Sequence, residues 1–559
     1  MTNSDIHKSE MIDGATLLVR SLKQQGVEYM FGIVGIPVFG IAAAALREGI
    51  RYLGFRNEQA ASYAAGAVGY LTGRPGCCLT VSGPGMINAI SGLANAWSNC
   101  WPMILIGGAN DSFQNGQGAF QETPQIEASR PFVKYAARPE QIGRIPFYVE
   151  KAVRTSIYGR PGAVYLDFPN DLISDRIAAD QIEMPPHCPE PPRPCAEPEA
   201  IQRTLDILKS AQRPLVIIGK GAAYARAEDQ VRTFIDKTKL PFLPTPMGKG
   251  VVPDNHPQSI APARSHALQN ADAILLMGAR LNWILHFGMP PRFAKGVRII
   301  QMDIAAEEIG TNVPTEIPLV GDIRSITKQL NQALAADGWQ FTSDSPWWQS
   351  LKESTEKNQE TTNAMMNDDT EPMGYYRVLR EIRDTMPKDA ILCCEGSNTM
   401  DISRAVLPNY EARQRLDAGS YGTMGVGLGF ALAASVVYPT RKIVALEGDS
   451  AFGFSGMEVE VACRHNLPIT VIIINNNGIG GGPSSLDPNF PPPPSAYTIN
   501  AHYERVIEAF GGVGYFVNSV KALKPTLQEA MANPKPCIVN IMINPRAQRK
   551  PQKFNWLTR

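Results

Sequence analysis

The chain is short of several things, and each shortage narrows what it does. No apolar run approaches the ~20 residues that a membrane-spanning helix needs. Net charge is nil, with 53 basic residues against 53 acidic ones. No strong field therefore draws the chain to nucleic acid or to an anionic membrane, and no long basic run makes up for it. Residues Met1 to Glu10 are polar and lack the apolar core of a signal peptide. There is no HExxH zinc site, no GxSxG elbow and no GxxxxGK[ST] loop, so hydrolase and P-loop readings have no support. The nine cysteines form no CxxC pair. Two adjacent pairs, Cys77-Cys78 and Cys393-Cys394, fall in strand-like runs where neighbouring side chains face opposite ways. Reduced, buried thiols are expected.

What is present is a chain of 559 residues, 44% hydrophobic and 19% charged, as in a soluble globular protein of about three domains. The first block alternates helical spacing (Gly14 to Gln25, Ala60 to Leu71) with short apolar runs at Tyr29, Gly76, Met103 and Ala163. This rhythm implies a parallel sheet covered by helices. A proline-rich stretch, Pro185 to Pro194, reads as an extended linker. A second βα block begins at Pro214 and ends near Leu334, and the polar segment from Ser343 to Glu371 marks another boundary. The expected division is 1–184, a linker at 185–198, 199–342, a second linker at 343–371, and 372–559.

The third block holds the most informative signals. The strand-like run Lys442 to Leu446 leads into Glu447-Gly448-Asp449-Ser450, and Ile469 to Ile474, a second such run, leads into Asn475-Asn476-Asn477-Gly478. Both polar clusters thus sit at carboxyl ends of strands, where open α/β sheets build their sites. A carboxylate beside an amide oxygen suits a hard divalent ion that also bridges phosphate oxygens. Two ordinary turns rich in Gly, Asp and Asn are the plainer reading. Three further features favour the site: Glu58 opening a small-residue helix, the loop Gly422-Thr423-Met424-Gly425, and Glu395-Gly396-Ser397-Asn398-Thr399 after an apolar run.

Together these resemble the signature of thiamine-diphosphate (ThDP) decarboxylase-like enzymes, whose three α/β domains bind the pyrimidine, form the centre and bind the diphosphate. The resemblance implies Mg²⁺ held by Asp449, Asn476 and the Gly478 carbonyl. It implies that Glu58 bonds the N1′ nitrogen of the aminopyrimidine, where a carboxyl can share a proton and activate the cofactor. It makes Met424 the wedge between the cofactor rings, with the Gly422 carbonyl accepting from the 4′-amino group. Ser397, Asn398, Thr399, Gly448, Ser450 and Ala451 would cradle the diphosphate. Family members join Glu58 to the metal domain across a subunit interface, so a homodimer or homotetramer is implied.

Closer still, Phe31 to Val38, Gly219 to Tyr224, Gly278 to Trp283 and Gly448 to Glu458 are similar to segments of 2-hydroxyacyl-CoA lyases and oxalyl-CoA decarboxylases. Gly118 to Glu122, Thr245 to Pro257 and the end Phe554 to Arg559 favour the lyases, and Arg549 to Lys553 lacks the Ser and Arg usual in decarboxylase tails. The implied reaction splits a 2-hydroxyacyl-CoA into formyl-CoA and an aldehyde, reversibly, with Ile36 and Gln121 lining the pocket. Arg264 and Arg404 are candidates for the CoA phosphates, and Arg160, Lys220 and Arg280 resemble a regulatory ADP site. Where the family usually has a Tyr, this chain has Gly480. The last three residues are not the SKL type of peroxisomal signal, and a cytoplasmic enzyme is expected. The alternatives are oxalyl-CoA decarboxylase, an acetolactate-synthase-like carboligase and a non-catalytic homologue.

Overall fold

The computed structural model describes residues 10–335 and 338–551. The lyase-like end from Phe554, the residues Gln552 and Lys553, and most of the polar N-terminal stretch lie outside the described residues. Two compact units are distinguished: the chain up to Pro191 with Leu432–Val437, and Pro192–Ala431 with the chain from Tyr438 onward. The first break falls in the proline-rich stretch, where residues 182–197 form neither helix nor strand.

The first unit contains a six-stranded parallel sheet of β1 (Tyr29–Gly32), β2 (Arg51–Gly54), β3 (Gly76–Thr80), β4 (Met103–Ala109), β5 (Tyr135–Ala137) and β6 (Ala163–Pro169). Their spatial order is β2-β1-β3-β4-β6-β5. β3, β4 and β6 are buried at every position. Such strands are apolar on both faces because helices cover both sides of a parallel sheet. Two of these helices, α1 (Glu58–Thr72) and α2 (Pro84–Asn99), are rich in Ala and Gly, which lets backbones approach closely.

The second unit holds two parallel sheets. One has β7 (Pro214–Ile218), β8 (Phe242–Pro244), β9 (Ala273–Met277), β10 (Arg298–Asp303) and β11 (Ile317–Val320), ordered β8-β7-β9-β10-β11. The other has β12 (Ile391–Cys394), β13 (Arg415–Asp417), β14 (Ile443–Gly448), β15 (Ile469–Asn475), β16 (Val513–Val517) and β17 (Cys537–Met542), ordered β13-β12-β14-β15-β17-β16. The outer two sheets of the sequence therefore share one strand order, a structural repeat without a sequence repeat. In all three, the chain's first strand lies between its second and third, which sets a topological switch point at the carboxyl ends of the first and third.

The polar segment from Ser343 to Glu371 is not simply extended: Pro346–Met366 is a helix. Ser345 caps it by accepting from the Trp348 amide, and Pro346 takes the first turn. Its only inward anchors near that end are Trp347, Trp348 and Leu351, which join the core around β7 and β9. Beyond Leu351 most positions are exposed or half-buried, which explains the polar sequence, until Met366 is buried again at the far end. All nine cysteines are unpaired, and Cys77, Cys78, Cys393 and Cys394 are buried. Among the described residues no helix is long and apolar enough to cross a membrane.

Candidate active site

In the second unit the switch point between β12 and β14 gathers the polar clusters read from the sequence. The loop after β12 enters α3 (Ser397–Val406) through Gly396, whose φ of 94° is in the left-handed region. A Cβ at Gly396 would lie 3.1 Å from the Gly448 nitrogen, so the loop after β12 abuts the end of β14. Ser397 is exposed, Asn398 half-buried and Thr399 buried. β14 runs into α4 (Asp449–Ser455), which carries Ser450 and the buried Ala451.

Asp449 is 2% exposed. Burial pushes its carboxyl up to about 6, against the backbone amides that donate to it. Those of Ser450 and Gly478 do so at 2.9 Å to Oδ1 and 2.9 Å to Oδ2. The Asn476 amide, 4% exposed, is held at one end by the Tyr375 hydroxyl at 3.0 Å. Its other end lies 2.7 Å from the Gly478 carbonyl oxygen and 3.1 Å from Asp449 Oδ1. With the amide nitrogen there, it donates two hydrogen bonds. With the amide oxygen there, three oxygens converge without a hydrogen between them. Octahedral magnesium with bonds near 2.1 Å sets neighbouring ligand oxygens about 3 Å apart. The second orientation therefore fits such an ion, with one carboxylate, one amide oxygen and one carbonyl as its protein donors. Asn477 makes the turn that aims Gly478 back at Asp449, with φ 63°, a conformation asparagine tolerates.

Tyr375 also bonds the Asn398 side chain, so one phenol ties the α3 loop to Asn476. Nothing in the sequence marked it, since it stands 101 residues before Asn476. Tyr497 was likewise missed. Its hydroxyl meets the Ser450 Oγ at 3.0 Å, and its amide donates to the Asn477 carbonyl at 2.9 Å. It closes the loop that begins at Gly480, where φ is 71°. Gly422 is exposed and Met424 half-buried in the turn before the helix Gly427–Val437.

In the first unit, Ile36, Glu58 and Gln121 lie beyond the carboxyl ends of β1, β2 and β4, Ile36 and Gln121 in loops and Glu58 at the start of α1. Glu58 opens α1, with Asn57 capping the helix through the Gln59 amide at 2.7 Å. Asn88 on α2 donates to Glu58 Oε2 at 3.2 Å. Gln121 adopts φ 56°, and its Oε1 accepts from the Ser82 hydroxyl at 3.3 Å. Ile36 is 69% exposed. Beneath them Gln125 takes the Gly83 amide at 2.7 Å and donates to Asp167 Oδ1 at 2.7 Å. Glu122 accepts from the Gly116, Gly118 and Ala119 amides, which hold its carboxyl below the usual range.

The basic residues divide. Arg264 donates to the Ile284 carbonyl at 2.8 Å, and its other Nη lies 3.3 Å from His286 Nε2. Burial and the charges of Arg292 and Arg404 lower it to about 10, with Asp401 opposing, so the cluster carries excess positive charge. Arg404 is engaged by Asp417 and Asp401 at 3.1 and 2.6 Å. Lys220 and Arg280 flank the switch point of the central sheet, and Arg280 donates to the Ser420 hydroxyl at 3.2 Å. Arg160 belongs to the first unit, in the turn before β6.

Comparison with known proteins places the chain in a family. Models of the thiamine pyrophosphate enzyme N-terminal TPP binding domain, central domain and C-terminal TPP binding domain match residues 12–128, 201–330 and 395–541. The human protein named 2-hydroxyacyl-CoA lyase 1 is 52% identical over 564 residues, covering 98% of this chain and 98% of its own. The 2-hydroxyacyl-CoA lyase of Arabidopsis thaliana is 43% identical, covering 96% of each. The oxalyl-CoA decarboxylase of Escherichia coli K12 is 42% identical, also covering 96% of each. The chain belongs to the thiamine pyrophosphate enzymes, in the branch of the 2-hydroxyacyl-CoA lyases.

Proposed function

We propose that the protein cleaves 2-hydroxyacyl-CoA to formyl-CoA and an aldehyde, and runs the reverse condensation, using thiamine diphosphate and magnesium. The observation that carries the reading is the convergence of Asp449, Asn476 and Gly478 at the β14–β15 edge of a chain 52% identical to a named lyase. Bound thiamine diphosphate supplies an electron sink for breaking the carbon–carbon bond.

The protein's own part is assigned as follows. Asp449, Asn476 and the Gly478 carbonyl hold the metal, with Tyr375 orienting the Asn476 amide. Ser397, Asn398, Thr399, Gly448, Ser450 and Ala451 surround the diphosphate. Met424 wedges the rings, and the Gly422 carbonyl accepts from the 4′-amino group. Glu58 holds a proton at N1′. Gln121 and Ile36 line the substrate pocket, and a neutral Gln121 neither ionises nor repels a carbonyl substrate. The positive cluster at Arg264 suits CoA phosphates. Arg404 would join it through donors its two carboxylates leave over. Arg160, Lys220 and Arg280 are the proposed nucleotide residues, for ADP.

A homodimer or homotetramer belongs to the same reading. It is supported by Ile36 and Phe120, 69% and 70% exposed, in the same group of loops as Glu58. A cytoplasmic location is supported by nine cysteines without a disulfide. The test is turnover of a panel of 2-hydroxyacyl-CoA esters with and without thiamine diphosphate and magnesium, following aldehyde and formyl-CoA together. Cofactor-dependent release of both supports the proposal, and release of neither overturns it.

A further inference from the structure

Two carboxyl groups lie buried beneath the turn that precedes the helix Gly427–Val437. Glu395 follows β12, Glu447 lies in β14, and both are 0% exposed. They flank Gly427, where a Cβ would stand 2.3 Å from Glu447 Oε1 and 3.2 Å from Glu395 Oε2. Only glycine fits that gap. The two acids differ in their bonding. Glu395 Oε1 accepts from the Gly425 amide, and Oε2 accepts from the Gly427 amide at 2.7 Å. Glu447 has no hydrogen-bond partner on either oxygen among the described residues. Burial pushes the Glu395 carboxyl up to about 7 while the backbone amides that donate to it oppose that rise, and bonds to a charged group are about twice as strong as neutral ones. Two amides two residues apart, held by one carboxylate, leave the intervening backbone little freedom. Met424 and Gly422 lie immediately before this anchor, and neither Glu395 nor Glu447 belongs to the metal or diphosphate set.

We propose that Glu395 is a positioning residue for the cofactor rings: its carboxylate clamps the amides of Gly425 and Gly427 and thereby sets where the Met424 side chain and the Gly422 carbonyl stand. The proposal rests on the reading of Met424 and Gly422 given above. It separates two jobs at one site. The Asp449 cluster governs the diphosphate, and Glu395 governs the rings.

Thiamine diphosphate and inorganic pyrophosphate, each with magnesium, are titrated by calorimetry into the full-length protein and into Glu395→Gln. The glutamine keeps the shape but sets an NH₂ against one of the two amide donors. The expected result is about a tenfold or greater loss of thiamine diphosphate affinity, one lost charged hydrogen bond, with pyrophosphate affinity unchanged. Unchanged affinity for both, or an equal loss of both, overturns the proposal. Met424→Ala distinguishes the failures. If it weakens thiamine diphosphate binding while Glu395→Gln does not, the role of Glu395 alone falls. If neither variant weakens it, the reading of Met424 falls as well. Should Glu395→Gln not fold, hydrogen exchange of the cofactor-free natural protein decides. Residues 421–428 protected as strongly as β12 support the clamp, and rapid exchange there contradicts it.

Discussion

The Asn476 amide and Asp449 Oδ1 stand 3.1 Å apart, a contact that is a hydrogen bond in one amide orientation and a pair of oxygens with no hydrogen between them in the other. Tyr375 serves both, since a hydroxyl either accepts from the amide nitrogen or donates to the amide oxygen. Tyr375→Phe is therefore expected to weaken magnesium binding about tenfold, the usual scale for an outer partner of a ligand. A magnesium titration of thiamine diphosphate binding checks it. The same variant should leave the fold intact, because only the hydroxyl is removed.

Glu58→Gln separates activation from binding. The amide retains the size and the contact with Asn88 but cannot hold the transferable proton. Turnover is expected to fall by about 10²–10⁴, the range for a lost acid–base group. Affinity for thiamine diphosphate, whose proposed anchor is Asp449, should change little. Steady-state rates and calorimetry on the same preparation test the split.

Asp167 is the buried centre beneath the first unit's site. It is 0% exposed and receives Arg138 at 2.6 Å, Tyr165 at 2.5 Å and Gln125 at 2.7 Å. Asp167→Ala leaves three donors without their acceptor. A loss of about 3 kcal/mol in unfolding free energy is expected, at the low end for a broken buried pair because the Arg138 side chain is 30% exposed. Loosening of Gln125 would then free the Gly83 amide. Urea denaturation and hydrogen exchange at residues 82–84 measure both effects.

Trp347 is 3% exposed and donates its indole N–H to the Pro214 carbonyl at 3.0 Å. Trp347→Ala is expected to cost about 3–5 kcal/mol, as large-to-small core changes do. Thermal unfolding of the full chain reads it.

The strands were legible in the sequence because helices cover both faces of each parallel sheet, which leaves apolar runs such as Val471 to Ile474. Asp449, Asn476 and Gly478 could be proposed as metal donors from sequence because they follow two strand ends, and the structure brings them together. The helix Pro346–Met366 was not legible, since its buried residues are few, Trp347, Trp348 and Leu351 at one end and Met366 at the other, and the stretch between has the composition of a connector. Tyr375 and Tyr497 escaped for a different reason: each acts on residues far along the chain, and no local spacing records that proximity. Glu395 was visible as part of a loop, but its bonds to Gly425 and Gly427 exist only once two distant strands lie side by side.

The bond that is broken separates a 2-hydroxyacyl-CoA lyase from an oxalyl-CoA decarboxylase. Purified protein loaded with thiamine diphosphate and magnesium is offered a 2-hydroxyacyl-CoA and oxalyl-CoA in parallel, with aldehyde, carbon dioxide and formyl-CoA quantified. The account predicts equal amounts of aldehyde and formyl-CoA from the hydroxyacyl ester, at a rate well above carbon dioxide release from oxalyl-CoA. Rapid carbon dioxide release with no aldehyde from the hydroxyacyl ester would contradict it.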